Sequence, residues 1–502
     1  MKHPQDNTPS PLLTTLASVM RWRGGLIQLH ARLACYFARP EPYQRLLRFL
    51  QGVLSQVARK NGWQLAEQAR EATPYGMQRL LSGAVWDEDG VRDEVRVLAL
   101  AHLGTAEAIV AIDETSFPKR GKHSAGVKKQ YCGTTGQVQN CQVGVFLSYI
   151  TPLGHTLIDR ELYVPQDWTN DRERCRQAGI PDTIPFRTKP DLAIAMLERL
   201  YHEQVPLDWV VADSVYGGHL ELRTWLETHQ YPYVGAVCCD EPVVLVAPDG
   251  GVRRVEVRDV PALLLTDSCW HRLSMSEGTK GPRLFDWACV PVLHRGADDG
   301  WHSLLLRRTI DATPELAYYL VFAPPATPLQ AKVSALGGRW RIEEHFENGK
   351  DLGMDHYEVR SFRGWYRHIT LVMLALAFLV SICVQERAVT PPPADVDAGA
   401  TPTESGSLEH GEDAESDKEK SDAQAHKAGE QEFPREHHHA HESHHPPTDL
   451  LPLSVPEVRH LLAHLLFPPP SGVKLVVEWS AWRRWHQRLA SFFHTKRRLK
   501  AG

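Results

Sequence analysis

The amino-acid sequence predicts an α/β protein with several domains, in which a mixed β-sheet forms the centre. Two changes of pattern lead to this prediction. Apolar residues keep the spacing of helices up to about residue 104, after which short apolar runs typical of strands replace them. From residue 190 onward helices alternate with strands, which implies a mixed sheet. The length of 502 residues suits two to four domains, and 42% hydrophobic and 23% charged residues exclude fibrous and wholly disordered classes.

The first domain, residues 1–107, is predicted to be helical, because apolar residues recur three and four positions apart in residues 46–54. Residues 73–86 begin with a Thr-Pro breaker, and a short helix follows with Gln78 and Arg79 on its polar side. This pattern is typical both of a DNA-binding helix-turn-helix and of an ordinary helical hairpin. The sequence leaves both interpretations open.

Residues 108–237 are predicted to form the first part of the sheet domain. Three strand-like runs come first, and a helix-strand-helix-strand series follows them. In chain order we expect strands at 108–112, 145–150 and 157–164, a helix at 190–204, a strand at 209–212, a helix at 219–228 and a strand at 231–237.

Residues 238–325 show strand patterns interrupted by Gly and Pro and lack a helical period, so we expect a β-rich insertion. Helices return in residues 326–387, the second part of the sheet domain. The apolar run from Leu371 to Val384 has 14 residues, short of the roughly 20 that cross a bilayer. It predicts a buried helix and no membrane span.

The cysteines indicate a reducing compartment. There are nine, they form no CxxC pair, and the N-terminus carries no apolar signal segment. We therefore expect a cytoplasmic protein.

Residues 388–448 are predicted to be a disordered linker, since they are rich in Pro, Glu, Ser and His and carry few large apolar residues. Fourteen acidic residues stand against four Lys and Arg, a net charge of −10 that leaves +5 on the rest of the chain. This balance weakly favours a polyanionic partner. The six His of residues 437–445 are interpreted as part of a solvated tail, with binding of a soft metal as the alternative.

The last segment, residues 449–502, is predicted to be helical and basic. From Ser471 onward it has eight Lys and Arg against Glu478 alone, with Trp and Phe between them. Such a helix suits contact with phosphates, and a solvated face over a packed aromatic stripe is the equal alternative.

Two carboxylates are placed where a sheet can bring them together. Asp113 follows the apolar strand 108–112, and Asp213 follows the strand 209–212. A buried pair of like charges is costly unless a cation lies between them. Mg²⁺ accepts a few carboxylates and keeps positions for water and phosphate oxygens, so the pattern predicts a site for phosphate chemistry.

A third carboxylate lies on the predicted helix around residues 339–350. Arg339, Glu343, Glu347 and Lys350 share one face of this helix, and Glu344 points about 100° away. A carboxylate between a guanidinium and an ammonium suits metal binding and phosphate contact. A salt-bridged surface helix is the alternative.

A collinear series of motifs covers residues 38–387. It comprises the motifs at residues 111–117 (AIDETSF), 126–133 (GVKKQYCG), 140–145 (NCQVGV), 159–163 (DRELY), 168–169 (WT), 178–181 (AGIP), 212–217 (ADSVYG), 280–283 (KGPR) and 339–346 (RWRIEEHF). On these residues the chain resembles the DDE transposases of bacterial insertion sequences with a YREK-type signature, and within them insertion-sequence family seven-zero-one. That family also has a β-rich insertion before the catalytic Glu, which agrees with residues 238–325.

The resemblance implies a ribonuclease-H-like core in which Asp113, Asp213 and Glu343 are the catalytic and metal-binding residues. Arg339 and Lys350 match the phosphate-contacting Arg and Lys of its signature. Further residues predicted to bind DNA are Lys128, Lys129, Arg497 and Arg498. The chain departs from the signature at one position, because Leu336 stands where the signature has Tyr. An insertion Trp of relatives stacks on a flipped base, and Trp270 and Trp287 are candidates for this role or for core residues.

The function that the resemblance implies is transposition of a mobile element. Two Mg²⁺ or Mn²⁺ ions would assist cleavage at the element ends and joining of the 3′-hydroxyl to target DNA. The implied partners are double-stranded DNA and a second protomer in a synaptic homodimer, and the implied location is the bacterial nucleoid. A catalytically silent DNA-binding derivative and a purely hydrolytic nuclease are the alternatives.

Overall fold

Three of the N-terminal helices begin at a side-chain cap or at a proline. A computed structural model describes residues 11–278, 281–294, 298–311, 313–389, 452–470 and 472–501. The first helices are α1 (Pro11–Arg32), α2 (Pro40–Leu54), α3 (Gly62–Gln68), α4 (Tyr75–Ser82) and α5 (Glu88–Leu103). Pro40 occupies the first turn of α2, and the side chains of Asn61 and Asp87 accept backbone N–H groups at the starts of α3 and α5. The predicted helical N-terminal region is therefore present.

A mixed sheet follows, as predicted. In chain order its elements are β1 (Ile109–Pro118), β2 (Lys128–Cys132), β3 (Gln137–Thr151), β4 (Gly154–Tyr163), α6 (Gln166–Thr169), α7 (Arg172–Gln177), α8 (Lys189–His202), β5 (Trp209–Ala212), α9 (Ser214–Gly217), α10 (Leu220–Thr228) and β6 (Tyr233–Val237). Strand β3 pairs antiparallel with β1 on one edge and with β2 and β4 on the other. Strand β1 pairs parallel with β5, and β5 with β6.

The residues between 238 and 325 extend this same sheet. They form β7 (Pro242–Val246), β8 (Val252–Glu256), α11 (Val260–Leu264), β9 (His271–Gly278), β10 (Gly281–Pro291), β11 (His302–Arg308) and β12 (Leu316–Phe322). Strand β12 pairs antiparallel with β6, and β11, β10 and β9 follow in order, whereas β7 and β8 form a separate hairpin. The β-rich stretch is thus continuous with the strands that carry Asp113 and Asp213.

Helix α12 (Leu329–Gly338) packs across the sheet before α13 (Trp340–Asp351) begins. A Cβ on Gly337 would lie 2.0 Å from the carbonyl oxygen of Met275 on β9. A Cβ on Gly338 would lie 2.9 Å from the side chain of Ile109 on β1. Glycine therefore permits α12 to contact β1 and β9 at once.

Helix α14 (Phe362–Val389) passes through the core. Among the described residues it is long and apolar enough to cross a membrane, but 89% of its apolar window is buried inside the protein. Its buried residues include the run from Leu371 to Cys383, which confirms the predicted core helix.

The C-terminal helices are α15 (Val455–Leu465) and α16 (Val473–Ala501). They belong to one unit with the described residues up to Ala388. Residues 390–448 of the predicted linker lie outside the part of the chain that the structure describes. On α16, Trp479 is buried and Arg483 donates to Glu67 Oε2 at 2.6 Å, so part of its aromatic stripe packs on the N-terminal helices. Arg483 thereby already has a carboxylate partner in the protein.

Candidate active site

Sheet pairing brings Asp113 and Asp213 to the same edge. Ile112 on β1 pairs with Ala212 on β5, so the two aspartates are the next residues on neighbouring parallel strands. Asp213 ends its strand and accepts a hydrogen bond from the N–H of Val215 at 2.9 Å as the cap of α9. The expectation that Asp113 ends its strand is wrong, because β1 continues to Pro118 through its pairing with β3. Asp113 instead lies where the parallel pairing with β5 ends.

Asp113 and Asp213 are largely buried, and their like charges repel each other. Burial and the charge of Asp213 raise the pKa of Asp113 to about 7. Burial and the charge of Glu114 raise the pKa of Asp213 as well. These shifts mark an anionic site that is short of positive charge, which is a frequent property of functional sites.

Arg339 connects this edge to α13. It lies between α12 and α13, and its Nη1 is 3.4 Å from Asp113 Oδ2. Its Nη2 is 3.9 Å from Glu343 Oε1. The third predicted carboxylate, Glu343, therefore lies across one guanidinium from Asp113. Leu336, at the position of the signature Tyr, is buried and offers no hydroxyl.

Glu344 faces another part of the molecule. It pairs with Arg341 at 3.2 Å and with His155 Nε2 at 3.5 Å. This agrees with the helical period, which separates it from Glu343 by about 100°.

Lys350 lies further along the same helix. Its Nζ is 3.3 Å from Thr134 Oγ1, and Thr134 donates to the carbonyl of Ser116 on β1 at 2.7 Å. Lys350 is thus beside the strand of Asp113. Lys128 and Lys129 are exposed on β2, where Lys128 pairs with Asp167 at 2.7 Å, and no contact joins them to the carboxylates. The side chains of Arg497 and Arg498 lie outside the described residues.

Sequence reasoning missed a fourth carboxylate at this edge. Glu114 accepts a hydrogen bond from Tyr216 at 2.5 Å and forms an ion pair with Lys189. Burial and the charge of Glu114 raise the pKa of Tyr216 well above its ordinary value, so its hydroxyl stays protonated. Both residues stand inside the motifs at 111–117 and 212–217, which was the available signal.

The donor set suits a hard divalent cation, because carboxylate oxygens are the ligands that Mg²⁺ and Mn²⁺ prefer. The raised pKa of Asp113 and Asp213 indicates a charge deficit that a cation would remove. In the described part of the chain, however, the ligand oxygens of Asp113, Asp213 and Glu343 do not all lie within 4.8 Å of one another. Arg339 occupies the space between Asp113 and Glu343.

The two tryptophans of the insertion differ. Trp287 is fully buried on β10, which favours a core residue. Trp270 is partly exposed, and the guanidinium of Arg308 lies 4.4 Å from its ring centroid. Only Trp270 is accessible for stacking on a base.

Residues 32–263 match the sequence model of a family described as "DDE superfamily endonuclease". The chain is also 32% identical over 171 residues to a protein of Microchaete diplosiphon named "Probable transposase for insertion sequence element IS701". That alignment covers 33% of this chain and 41% of the relative, so the match spans about two fifths of the relative's length. Both findings agree with the resemblance drawn from the motifs.

Among solved structures, the NurA nuclease from Sulfolobus solfataricus aligns with 53% of this chain and 82% of its own chain. The sequence identity is 10% and the TM-score is 0.21, too low to indicate a shared fold.

Proposed function

We propose that this chain, whose residues 32–263 match the family model described as "DDE superfamily endonuclease", is the transposase of a bacterial insertion sequence. Its activity is cleavage of DNA at the ends of the element and joining of the 3′-hydroxyl to target DNA. The observation that carries this proposal is that Asp113 and Asp213 follow paired residues of neighbouring strands, while Arg339 contacts both Asp113 and Glu343.

The strands β1, β3, β4, β5 and β6 are proposed as the ribonuclease-H-like core. The other segments of the chain are proposed to be an N-terminal DNA-binding domain, a β-rich insertion, a linker and a basic C-terminal segment. The partly basic α16 supports the last of these assignments, since Arg484 and Arg488 are exposed on it.

Asp113, Asp213 and Glu343 are assigned as the ligands of two Mg²⁺ or Mn²⁺ ions. When bound, the ions supply activation of water or of a 3′-hydroxyl and stabilisation of the leaving oxygen. Arg339 holds Asp113 and Glu343 in reach of each other and offers a guanidinium to a phosphate oxygen. Lys350 offers a second cation beside β1.

Glu114 and Tyr216 are positioning residues in this scheme. Their hydrogen bond connects β1 to α9, whose cap is Asp213, so it fixes the distance between the two strands that carry the aspartates. Lys189 compensates part of the charge that Glu114 adds.

The proposed substrate is double-stranded DNA, acted on by a homodimer in a synaptic complex in the cytoplasm, at the nucleoid. Lys128, Lys129, Arg497 and Arg498 are proposed to contact its backbone. Such contacts would give affinity that falls as salt rises, without sequence preference.

The test uses the full chain, Mg²⁺, a labelled fragment of the element end and target DNA. The variants Asp113→Asn, Asp213→Asn and Glu343→Gln should lose cleavage by at least about 100-fold and keep binding of the end, because the carboxylates act on the chemistry and affinity comes from phosphate contacts. Glu344→Gln is the matched control and should keep most of its activity.

The same assay separates the alternatives. Cleavage without joined products would indicate a hydrolytic nuclease, and binding without cleavage would indicate a silent derivative. A Glu343→Gln protein that cleaves normally beside an inactive Glu344→Gln protein would show that the assignment of the third carboxylate is wrong.

A further inference from the structure

Three metal-ligating side chains meet at the opposite edge of the sheet. Glu227 comes from α10, His302 is the first residue of β11, and His294 follows β10. Their ligand atoms all lie within 4.8 Å of one another, the only such group among the described residues. The rings of His294 and His302 stack with centroids 4.2 Å apart. All three side chains are partly buried, so water screens them incompletely.

Two neighbours orient this cluster. His302 Nδ1 donates to Asp299 Oδ2 at 2.8 Å, which leaves Nε2 to face Glu227. That Nε2 is buried and has no hydrogen-bond partner, although it lies 3.4 Å from Glu227 Oε1. Tyr233 donates to the same Oε1 at 2.9 Å. A carboxylate behind a histidine and a hydroxyl behind a carboxylate are the usual outer partners of metal ligands.

The ligand types select the metal. Two imidazoles and one carboxylate suit Zn²⁺ and similar transition metals, whereas Mg²⁺ takes oxygen ligands. In a tetrahedral zinc site with bonds of about 2.0–2.1 Å, ligand atoms lie about 3.3 Å apart. The separation of 3.4 Å between His302 and Glu227 is already close to this value.

We propose that Glu227, His294 and His302 form a binding site for Zn²⁺ or a related transition metal. The metal joins the β10–β11 turn to α10 and so fixes the strands of the β-rich stretch to the first part of the sheet. Its fourth position is open to water.

This site is separate from the carboxylates of the proposed active site. His302 pairs with Phe322, and Phe322 with Tyr233, the first residue of β6. The cluster therefore lies where the parallel strands begin, whereas Asp213 lies where β5 ends. The proposal stands independently of the proposed function.

The competing arrangement contains no metal. A protonated His302 between Glu227 and Asp299 would form an ion pair with both carboxylates. This arrangement needs no ligand from His294, and substitution of His294 distinguishes the two.

The experiment measures binding of Zn²⁺, and of Co²⁺ as a spectroscopic probe, to full-length protein stripped with a chelator. The six His of residues 437–445 are replaced by Ser throughout the series, because that tract can bind metal by itself. The parent protein should bind one equivalent in competition with a chelator and melt at a higher temperature with Zn²⁺. Asp299→Asn should weaken affinity about 10- to 100-fold.

His294→Ala and Glu227→Gln should lose more affinity than Asp299→Asn and lose the rise in melting temperature. His271→Ala, an exposed histidine on β9, is the control and should bind as the parent does. Circular dichroism in the presence of chelator checks that each variant is folded. If His294→Ala is not folded, His294→Gln is used in its place. A parent without a bound equivalent, or a His294→Ala protein that binds as tightly as the parent, would overturn the proposal.

Discussion

At the scale of single residues, the motif at 159–163 is an ion network in the core. Asp159 is fully buried on β4 and accepts hydrogen bonds from Arg96 at 3.0 Å and from Arg199 at 2.9 and 3.0 Å. Burial alone would raise the pKa of Asp159, but the charges of Arg199 and Arg92 outweigh it and lower the pKa. Arg96 is on α5 and Arg199 on α8, so this carboxylate joins two helices to the sheet.

We expect Asp159→Asn to reduce the free energy of unfolding by about 3–5 kcal/mol, because buried guanidinium groups lose their charged partner. Because the pKa of Asp159 is lowered in the folded protein, the stabilisation is complete above about pH 4, which is the ordinary pKa of an Asp carboxyl in an unfolded chain. It disappears as pH falls through the folded pKa. Denaturant titration should therefore show a difference in the free energy of unfolding between the parent protein and Asp159→Asn. This difference should become smaller only at acidic pH.

Asp182→Asn is the matched control for that substitution. Asp182 pairs with Arg176 at 3.3 Å with both side chains more than half exposed, so its loss should cost at most about 1 kcal/mol. Equal effects of the two substitutions would contradict the role assigned to Asp159.

The sequence predicts part of the carboxylate site because its signal is local. Asp113 and Asp213 each follow a short apolar run in the sequence, and Glu343 shares a helical face with Arg339. The hydrogen bond between Glu114 and Tyr216 joins residues 102 positions apart, so only the fold reveals it. The sequence does not predict the proposed Zn²⁺ cluster for the same reason, since Glu227 and His302 belong to a helix and a strand that are distant in sequence.

At the scale of elements, α12 connects the β-rich stretch to the residues that face the aspartates. It contacts β9 through Gly337 and β1 through Gly338, and Arg339 follows at once. Gln330 near its start donates to the carbonyl of Ser274 on β9 at 3.2 Å. The position of Arg339 therefore depends on strand β9.

Gly337→Ala should lower the melting temperature and the rate of cleavage, although Ala is the better helix former. Its Cβ would collide with the backbone oxygen of Met275, and overpacking of this kind costs about 1–3 kcal/mol. Thermal melts and the DNA cleavage assay measure the two effects.

Gly338→Ala is the matched control, because the nearest atom to its Cβ is the movable Cδ1 of Ile109 and not a backbone atom. It should be milder in both measurements. If the two variants behave alike, close contact with β9 does not position α12.

Elements were predicted well where an apolar pattern marks them and poorly where it does not. The apolar strands β1 and β5 were located, whereas β2 was missed because Lys128–Cys132 is short and mostly polar. The β-rich stretch was expected, but its continuity with the core sheet depends on the pairing of β12 with β6, which the spacing of residues does not encode.

At the scale of the whole molecule, the C-terminal segment belongs to the folded unit despite the long linker before it. Val458 and Leu462 on α15 are buried, and Arg459 pairs with Asp351 at 2.9 Å. Trp479 on α16 donates to the backbone oxygen of Glu71 at 3.1 Å. The segment thus contributes to the core.

Replacing residues 390–448 with a short flexible linker should leave the melting temperature and cleavage nearly unchanged, since this composition has little apolar surface to bury. Removing residues 453–502 should lower the melting temperature, because Val458 and Leu462 each contribute about 1.5–3 kcal/mol by burial. Calorimetry on both truncated proteins gives the comparison. A large loss on removing 390–448 would show that the linker packs.

The contact between α12 and β9 also sets an order of assembly during synthesis. During synthesis Asp113 and Asp213 are made before Glu343, and α12 has its docking surface only after β9 is complete. Under the proposed function, a chain that stops between Asp213 and Arg339 contains two of the three carboxylates and lacks the guanidinium of Arg339. We therefore expect such a fragment not to cleave DNA.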